Sequence, residues 1–412
     1  MYILYKEGVG MPGDYIWKDR LPVAPLKIVA LDGCKEFANL VDQHIVEYRK
    51  KANADDVSLV RSLNYSDYDK KSYLIDAITP RFGTGEGKAL INESTRGCDL
   101  YIMVDVTNHS IEYTVNGHTN YMSPDDHFQN LKRVIAASAA HAKRINVVMP
   151  FLYESRQHKR SGRESLDCAI ALEELYNMGV HNVITYDAHD PRVQNATPLS
   201  GFDNFMPTYQ FVKTIFNNIN DIIIDKDHLM CISPDEGAMD RAVYLANNLE
   251  VDMGMFYKRR DYSRVVNGRN PIVAHEFLGT NVQGKDVIIV DDMLSSGESM
   301  LDTAKALKQR LAKRVIVCTT FGLFTNGLDA FDKAYQDGTI DYVITTNLNY
   351  RNPELLTRKW YLEADMSRNL AAIINSFNHD APVSVELSPT YKIQNFVHKR
   401  IKDKYEYIGS II

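Results

Sequence analysis

Short apolar runs recur along the chain, at residues 100–104, 145–149, 183–186, 228–232, 287–290, 315–319 and 342–345. Between them lie longer stretches with Leu, Ala, Lys and Glu at helical spacing, among them 167–177 and 300–311. Runs this short predict buried strands, and the amphipathic stretches predict helices with one face to cover. Alternation of the two predicts an α/β protein whose sheets are mainly parallel and flanked by helices. The pattern occurs twice. Gly97-Cys98-Asp99 leads into one strand and Asp105, and Gly284-Lys285-Asp286 leads into another and Asp291-Asp292. Later in each half an Arg opens a strand, Arg144-Ile145-Asn146-Val147-Val148 and Arg314-Val315-Ile316-Val317-Cys318. Each half then reaches a Val-Ile-Thr strand, at 183–185 and 343–345. The repeat predicts two tandem α/β domains, 1–205 and 206–360. Residues 361–412 remain without a predicted place, although 365–377 reads as a helix. Residues 1–25 and 107–123 read as additions to the repeat, the second a polar loop or hairpin.

The chain has 412 residues, a length that suits two domains. Hydrophobic residues make up 45% and charged residues 24%, the composition of a globular protein. A net charge of −6 argues against tracking nucleic acid by bulk electrostatics. No apolar run approaches the length of a membrane span, and the first residues, with Lys6, Glu7 and Asp14, do not read as a signal peptide. The five cysteines are odd in number and far apart. They predict neither a disulfide framework nor a metal site, only small buried hydrophobes in a reducing cytoplasm.

The strongest chemical signal is Val287-Ile288-Ile289-Val290-Asp291-Asp292-Met293-Leu294-Ser295-Ser296-Gly297-Glu298-Ser299. A buried strand ends in two acids, a small hydroxyl-rich loop follows, and a helix begins. Ligands of open α/β sheets bind beyond the carboxyl ends of strands. The amides of the helix start, with Ser295, Ser296 and Ser299, suit a phosphate monoester, and Gly297 allows close backbone approach. Asp291 and Asp292 are placed to hold ribose hydroxyls or the waters of a bound Mg²⁺, an ion that takes one or two carboxylates plus substrate oxygens. Phe82-Gly83-Thr84-Gly85-Glu86-Gly87-Lys88-Ala89 has the look of a P-loop, but Phe82 and Ala89 stand where that motif needs Gly and Ser or Thr.

The acid pair with its Ser-Ser-Gly loop resembles the signature of the phosphoribosyltransferase superfamily, with Ser296 in place of the usual Thr. Four further motifs, in one unbroken order across most of residues 80–345, make the chain resemble ribose-phosphate diphosphokinase within that superfamily. They are Asp187-Ala188-His189, Ser155-Arg156-Gln157-His158-Lys159-Arg160, Ser233-Pro234-Asp235-Glu236-Gly237-Ala238 and Phe256-Tyr257-Lys258-Arg259-Arg260-Asp261. The resemblance implies two phosphoribosyltransferase-like domains and Mg²⁺-dependent transfer of the diphosphoryl group of ATP to the C1 hydroxyl of ribose 5-phosphate. It implies that Asp235, Asp291, Asp292, Ser295, Ser296, Gly297 and Ser299 hold ribose 5-phosphate. His189, Asp187 and Asp203 would lie at the metal. Phe82, Glu86, Arg156 and Gln157 would bind ATP, Phe82 reaching it across a subunit boundary of a homo-oligomer. Lys258 and Arg260, on a mobile lid at 261–270, would close over the β-phosphate as its charge redistributes, with His189 beside them. Thr84, His158 and Glu236 depart from the family's usual residues. Two other readings share parts of this pattern. A phosphoribosyltransferase that consumes the product shares the loop, and a regulatory homologue without catalysis accommodates the departures. No nucleic-acid or membrane partner is expected.

Overall fold

The structure is a computed structural model that describes residue 17 and residues 20–54, 67–260, 272–383 and 389–409, with backbone alone at 54, 258–260, 272–275 and 400–409. Among the described residues the α-helices, in chain order, are α1 (Lys35–Ala54), α2 (Pro124–Ser138), α3 (Asp167–Asn177), α4 (Thr208–Asn218), α5 (Met239–Leu249), α6 (Glu298–Gln309), α7 (Asp329–Gln336), α8 (Ser367–Asn378) and α9 (Pro389–Gly409). The chain divides into two units. The first comprises Met1–Thr185, Arg192–Asp203 and Ser367–Ser388, and the second Tyr186–Pro191, Asn204–Met366 and Pro389–Ile412.

The strands lying wholly or mostly in the first unit are β1 (Leu26–Ala30), β2 (Leu74–Ile75), β3 (Ala77–Ile78), β4 (Leu90–Ile91), β5 (Asp99–Met103), β6 (Glu112–Val115), β7 (His118–Tyr121), β8 (Arg144–Val148), β9 (Asn182–Tyr186) and β10 (Gly201–Phe205). Six form one sheet in the order β10-β9-β8-β5-β1-β2, with β2, β1, β5, β8 and β9 parallel to their neighbours. Every residue of β5 and β9 is buried, which is why these strands read as unbroken apolar runs. The addition at 107–123 is the hairpin β6–β7, closed by Asn116 and Gly117 with φ of 51° and 77°, the left-handed pair that a two-residue turn requires. Helix α2 follows it with a capping box: Ser123 Oγ accepts from the Asp126 amide, and Asp126 accepts from the Ser123 amide.

In the second unit β11 (Leu229–Ser233), β12 (Asp252–Arg260), β13 (Ile272–Leu278), β14 (Asp286–Leu294), β15 (Arg314–Gly322), β16 (Tyr342–Thr346) and β17 (Tyr361–Ala364) form a sheet ordered β13-β12-β11-β14-β15-β16-β17. Only the β12–β13 pairing is antiparallel. Strand β14 is central. Val287 and Ile289 pack in a core with Phe256, Phe331 and Trp360, while Ile288 and Val290 pack in another with Phe211, Phe216 and Leu245. The period of two along a strand sends alternate residues to the two faces. The expected α/β architecture with two mainly parallel sheets is therefore present. All five cysteines are buried and free. Among the described residues no helix is long and apolar enough to cross a membrane.

The sequence repeat has a physical counterpart at the amino ends of paired strands. Asp99 lies opposite Arg144, and Arg144 Nε and Nη2 donate to its two oxygens, each at 2.8 Å. Asp286 lies opposite Arg314, with Nε and Nη2 at 2.7 Å each. Each pair is bidentate, and both carboxylates are buried. Removing one partner leaves a buried charge without its match, a loss of about 3–5 kcal/mol. Arg314→Met is thus expected to lower unfolding free energy by about 3 kcal/mol in urea titrations, and Asp286→Leu added to it should restore most of the loss. Wild-type stability in the single variant would show the pair to be inert.

Residues 361–412 divide. Strand β17 completes the second sheet beside β16. Helix α8 belongs to the first unit, where Arg49 Nε and Nη2 donate to Asn375 and Asn378, each at 2.7 Å, and Asn378 Nδ2 donates to Asp99 at 2.9 Å. Helix α9 belongs to the second, with Ile393 and Val397 in its core.

Candidate active site

Strand β14 delivers Asp291 and Asp292 to its carboxyl end. Ser295, Ser296 and Gly297 follow, and α6 begins at Glu298. The loop is tied to the end of β15, since the Leu323 amide donates to Leu294 O at 2.8 Å and the Thr325 amide to Ser295 O at 3.0 Å. Gly297 has φ 85°, and a Cβ there would lie 2.2 Å from the Phe331 ring. The residue must be glycine because of this left-handed turn against an aromatic wall. That reason is independent of the close approach to a ligand that the sequence led one to expect. Ser295 and Ser296 are half-buried and Ser299 is exposed.

The two acids differ in environment. Asp292 Oδ2 lies 2.7 Å from His189 Nδ1, and the Asp292 amide donates to Asp291 Oδ1 at 2.8 Å. Burial alone would raise the Asp292 carboxyl, but the His189 hydrogen bond and the Arg241 charge outweigh it and hold the group below its usual range. An ionised Asp292 only accepts, so His189 Nδ1 carries the hydrogen. Asp291 goes the other way. Burial pushes it well above its usual value, and the negative charges of Asp292 and Asp235 add to the shift. The two neighbouring acids are therefore shifted in opposite directions.

His189 is set by the turn that follows β9. Asp187 adopts φ 42°. Its Oδ1 accepts from Arg241 Nε at 2.7 Å, and its Oδ2 from Thr320 Oγ1 at 2.5 Å. Arg241 also donates to Ala188 O at 3.2 Å and Gly237 O at 3.3 Å. Asn204 Oδ1 accepts the Ala188 amide at 3.0 Å. Asp187, expected from the resemblance to lie at the metal, is 4% exposed with both oxygens engaged and holds the turn. Arg241, Thr320 and Asn204 were not singled out by the sequence reading. Arg241 sits in the first turns of α5 and Thr320 far along β15, positions whose meaning comes only from tertiary structure.

Asp235 is half-buried, with Oδ1 accepting the Gly237 amide at 3.0 Å, and Ser233 Oγ donates to Asp235 O at 2.6 Å. Glu236 is exposed. Asp203 belongs to the first unit, where its Oδ2 accepts from Asn182 Nδ2 at 2.7 Å. Asn182 opens β9. Lys258 and Arg260 lie on β12, opposite His275 and Ile272. Their side chains, and the expected lid at 261–270, lie outside the described residues.

The expected ATP-binding residues lie in the first unit. Phe82 is 51% exposed on a turn closed by Phe82 N–H to Glu86 O at 2.7 Å. Glu86 is exposed and accepts from Thr84 Oγ1 at 2.9 Å. Arg156 is exposed, and Gln157 Nε2 donates to Ser165 O at 2.8 Å.

Among the described residues no group of three or more His, Cys, Asp or Glu side chains is arranged to hold a metal ion. The donor set still fits Mg²⁺, which takes few protein ligands and completes its shell with substrate phosphates and water. Asp292, held below the usual carboxylate range, would be such a ligand.

The N-terminal domain of ribose phosphate pyrophosphokinase matches residues 26–179, and the phosphoribosyl transferase domain matches residues 203–349. The ribose-phosphate pyrophosphokinase of Shewanella oneidensis is 30% identical over 320 residues, 76% of this chain and 91% of that protein. That of Vibrio cholerae is 28% identical over 313 residues, 75% of this chain and 90% of that protein. The crystal structure of phosphoribosylpyrophosphate synthetase from Mycobacterium smegmatis shares the fold, with a TM-score of 0.66 at 20% identity over 86% of this chain and 99% of that one.

Proposed function

Because the chain belongs to the ribose phosphate pyrophosphokinase family of the phosphoribosyltransferase superfamily, we propose that it transfers the diphosphoryl group of ATP to the C1 hydroxyl of ribose 5-phosphate. The products are 5-phosphoribosyl 1-diphosphate and AMP. The observation that carries this reading is the Asp291–Asp292 pair above the Ser295–Gly297 loop with His189 hydrogen-bonded to it. In this reading the loop and the start of α6 hold the 5-phosphate. Asp291 and Asp292 hold the ribose hydroxyls, which fixes the sugar and leaves the C1 oxygen to attack the β-phosphorus. His189 is held against Asp292 on the side where the triphosphate enters. Phe82, Glu86, Arg156 and Gln157 take the nucleotide, and Lys258 and Arg260 neutralise the β-phosphate as charge moves to the departing AMP. Mg²⁺ held by Asp292 and substrate oxygens would supply charge neutralisation of the triphosphate. Alignment and charge balance are sufficient for such chemistry, and no protein nucleophile is required. We place the reaction in the cytoplasm, in a homo-oligomer.

The test is AMP release by the purified protein. AMP should appear only when Mg²⁺, ATP and ribose 5-phosphate are all present, in equal amounts with 5-phosphoribosyl 1-diphosphate. No AMP from a folded protein that still binds ATP would leave the regulatory homologue as the reading.

A further inference from the structure

The hairpin β6–β7 is an addition to the repeat, and the function above gives it no task. Its residues alternate in exposure, with Tyr113 and Val115 on the half-buried face. Both lean on the turn 81–88, which carries Phe82. The Arg81 guanidinium lies over the Tyr113 ring, 4.7 Å from its centroid. Tyr113 Oη donates to Asp126 Oδ2 at 3.3 Å, and Arg81 Nη2 meets Asp126 Oδ1 at 2.8 Å. Arg81 Nη1 reaches into the turn and donates to Gly85 O at 3.3 Å. A Cβ on Gly85, which has φ 93°, would touch the Val115 methyls at 3.4 and 3.5 Å. On another side the turn is closed by α2, where a Cβ on Gly87 would lie 2.6 Å from the Arg133 guanidinium.

Three glycines, Gly83, Gly85 and Gly87, would leave such a turn loose by itself. Here two elements clamp it, yet the one aromatic ring it carries is left 51% exposed. Lys88 Nζ lies 5.5 Å from that ring's centroid. A rigid, outward aromatic ring beside a cation is suited to a flat, anionic partner. We propose that the hairpin is a brace that fixes the 81–88 turn and so presents Phe82 as a platform for the base of a nucleoside triphosphate. Tyr113 is its positioning residue. This assignment rests on the proposed function, in which Phe82 faces ATP.

The experiment compares wild type with Tyr113→Ala, Tyr113→Phe and the milder Val115→Ser. It reads ATP affinity by equilibrium dialysis, KM for each substrate, and amide hydrogen exchange at residues 82–87. Loss of the cation–π contact and the hydroxyl should raise Kd and KM for ATP about fivefold in Tyr113→Ala. KM for ribose 5-phosphate should stay unchanged, and exchange at 82–87 should speed up. Tyr113→Phe keeps the ring over Arg81 and should stay within about twofold of wild type. If Tyr113→Ala fails to fold, Val115→Ser carries the same expectations. Wild-type ATP binding with unchanged variants, or faster exchange with unchanged ATP affinity, overturns the brace alone. A wild-type protein that binds no ATP overturns the platform together with the functional reading.

Discussion

Replacing Asp292 by Asn should lower kcat/KM for ribose 5-phosphate by about a thousandfold, and replacing Asp291 should lower it by about a hundredfold. The two variants should move stability in opposite directions. Asp292 is held below the usual carboxylate range, against its burial, by His189 and Arg241. A depressed acid contributes stability that is present above its unfolded value, about 4, and is lost as pH falls through its folded value. Asp292→Asn forfeits that contribution at neutral pH, so its melting temperature should drop. Asp291 is raised by burial and by the charges of Asp292 and Asp235. The fold then binds a proton that the unfolded chain does not, and stability declines as pH rises from about 4 through the folded value. An amide has no proton to lose. Asp291→Asn should therefore melt above wild type at pH 7 and lose that advantage toward pH 4. Such a gain in stability with loss of activity marks an acid kept for function at the expense of the fold. Thermal melts at pH 7 and pH 4 beside kinetics check both signs. Equal destabilisation by the two substitutions would remove the asymmetry assigned to the pair.

The asymmetry was not visible in the sequence, although the pair was. A parallel strand buried on both faces is a continuous apolar run, so β5, β9, β11 and β14 were legible, and two acids ending such a run announce a site. What distinguishes Asp291 from Asp292 is contact with His189, which lies 103 residues earlier in the chain. No local spacing records that. The repeat was legible for a related reason. Asp99 with Arg144 and Asp286 with Arg314 are the same ion pair built twice, so the signal sits at fixed points of the pattern. Helices α8 and α9 were harder. Each has an apolar face that requires a partner, but amphipathicity does not say which. Asn375 and Asn378 tie α8 to Arg49, a partner more than 300 residues earlier that no local pattern records. Asp187 and Asp203 illustrate the limit from the other side. Asp187 follows an apolar run as Asp292 does, whereas Asp203 stands within Gly201-Phe202-Asp203-Asn204-Phe205 and was expected from resemblance alone. Each carboxylate is instead engaged by a neighbour, Asp187 by Arg241 and Thr320, Asp203 by Asn182. Which neighbours engage an acid's oxygens is decided only by tertiary structure.

Arg241 is where that lesson has its largest expected consequence. Its Nε pairs with Asp187, and its two terminal nitrogens donate to Ala188 O and Gly237 O. One guanidinium thus joins the turn that carries His189 to the loop that carries Asp235, and its charge also helps keep Asp292 ionised. Asp187 is buried in a left-handed conformation that a non-glycine residue adopts at a cost of about 1 kcal/mol or more. The clamp over-determines that conformation. Arg241→Met should leave the Asp187 charge buried and unmatched, at a cost of about 3 kcal/mol in unfolding free energy. With His189 no longer fixed against Asp292, kcat/KM should fall about a hundredfold. Arg241→Lys keeps the charge but not the planar three-way fork, so it should recover most of the stability and little of the activity. Adding Asp187→Asn to Arg241→Met removes the buried charge while Thr320 keeps an acceptor. Stability should then return and activity should not. Denaturant unfolding with kinetics on the four proteins separates a positioning role from a purely structural one. Recovery of activity in step with stability across the series would reduce Arg241 to a structural ion pair.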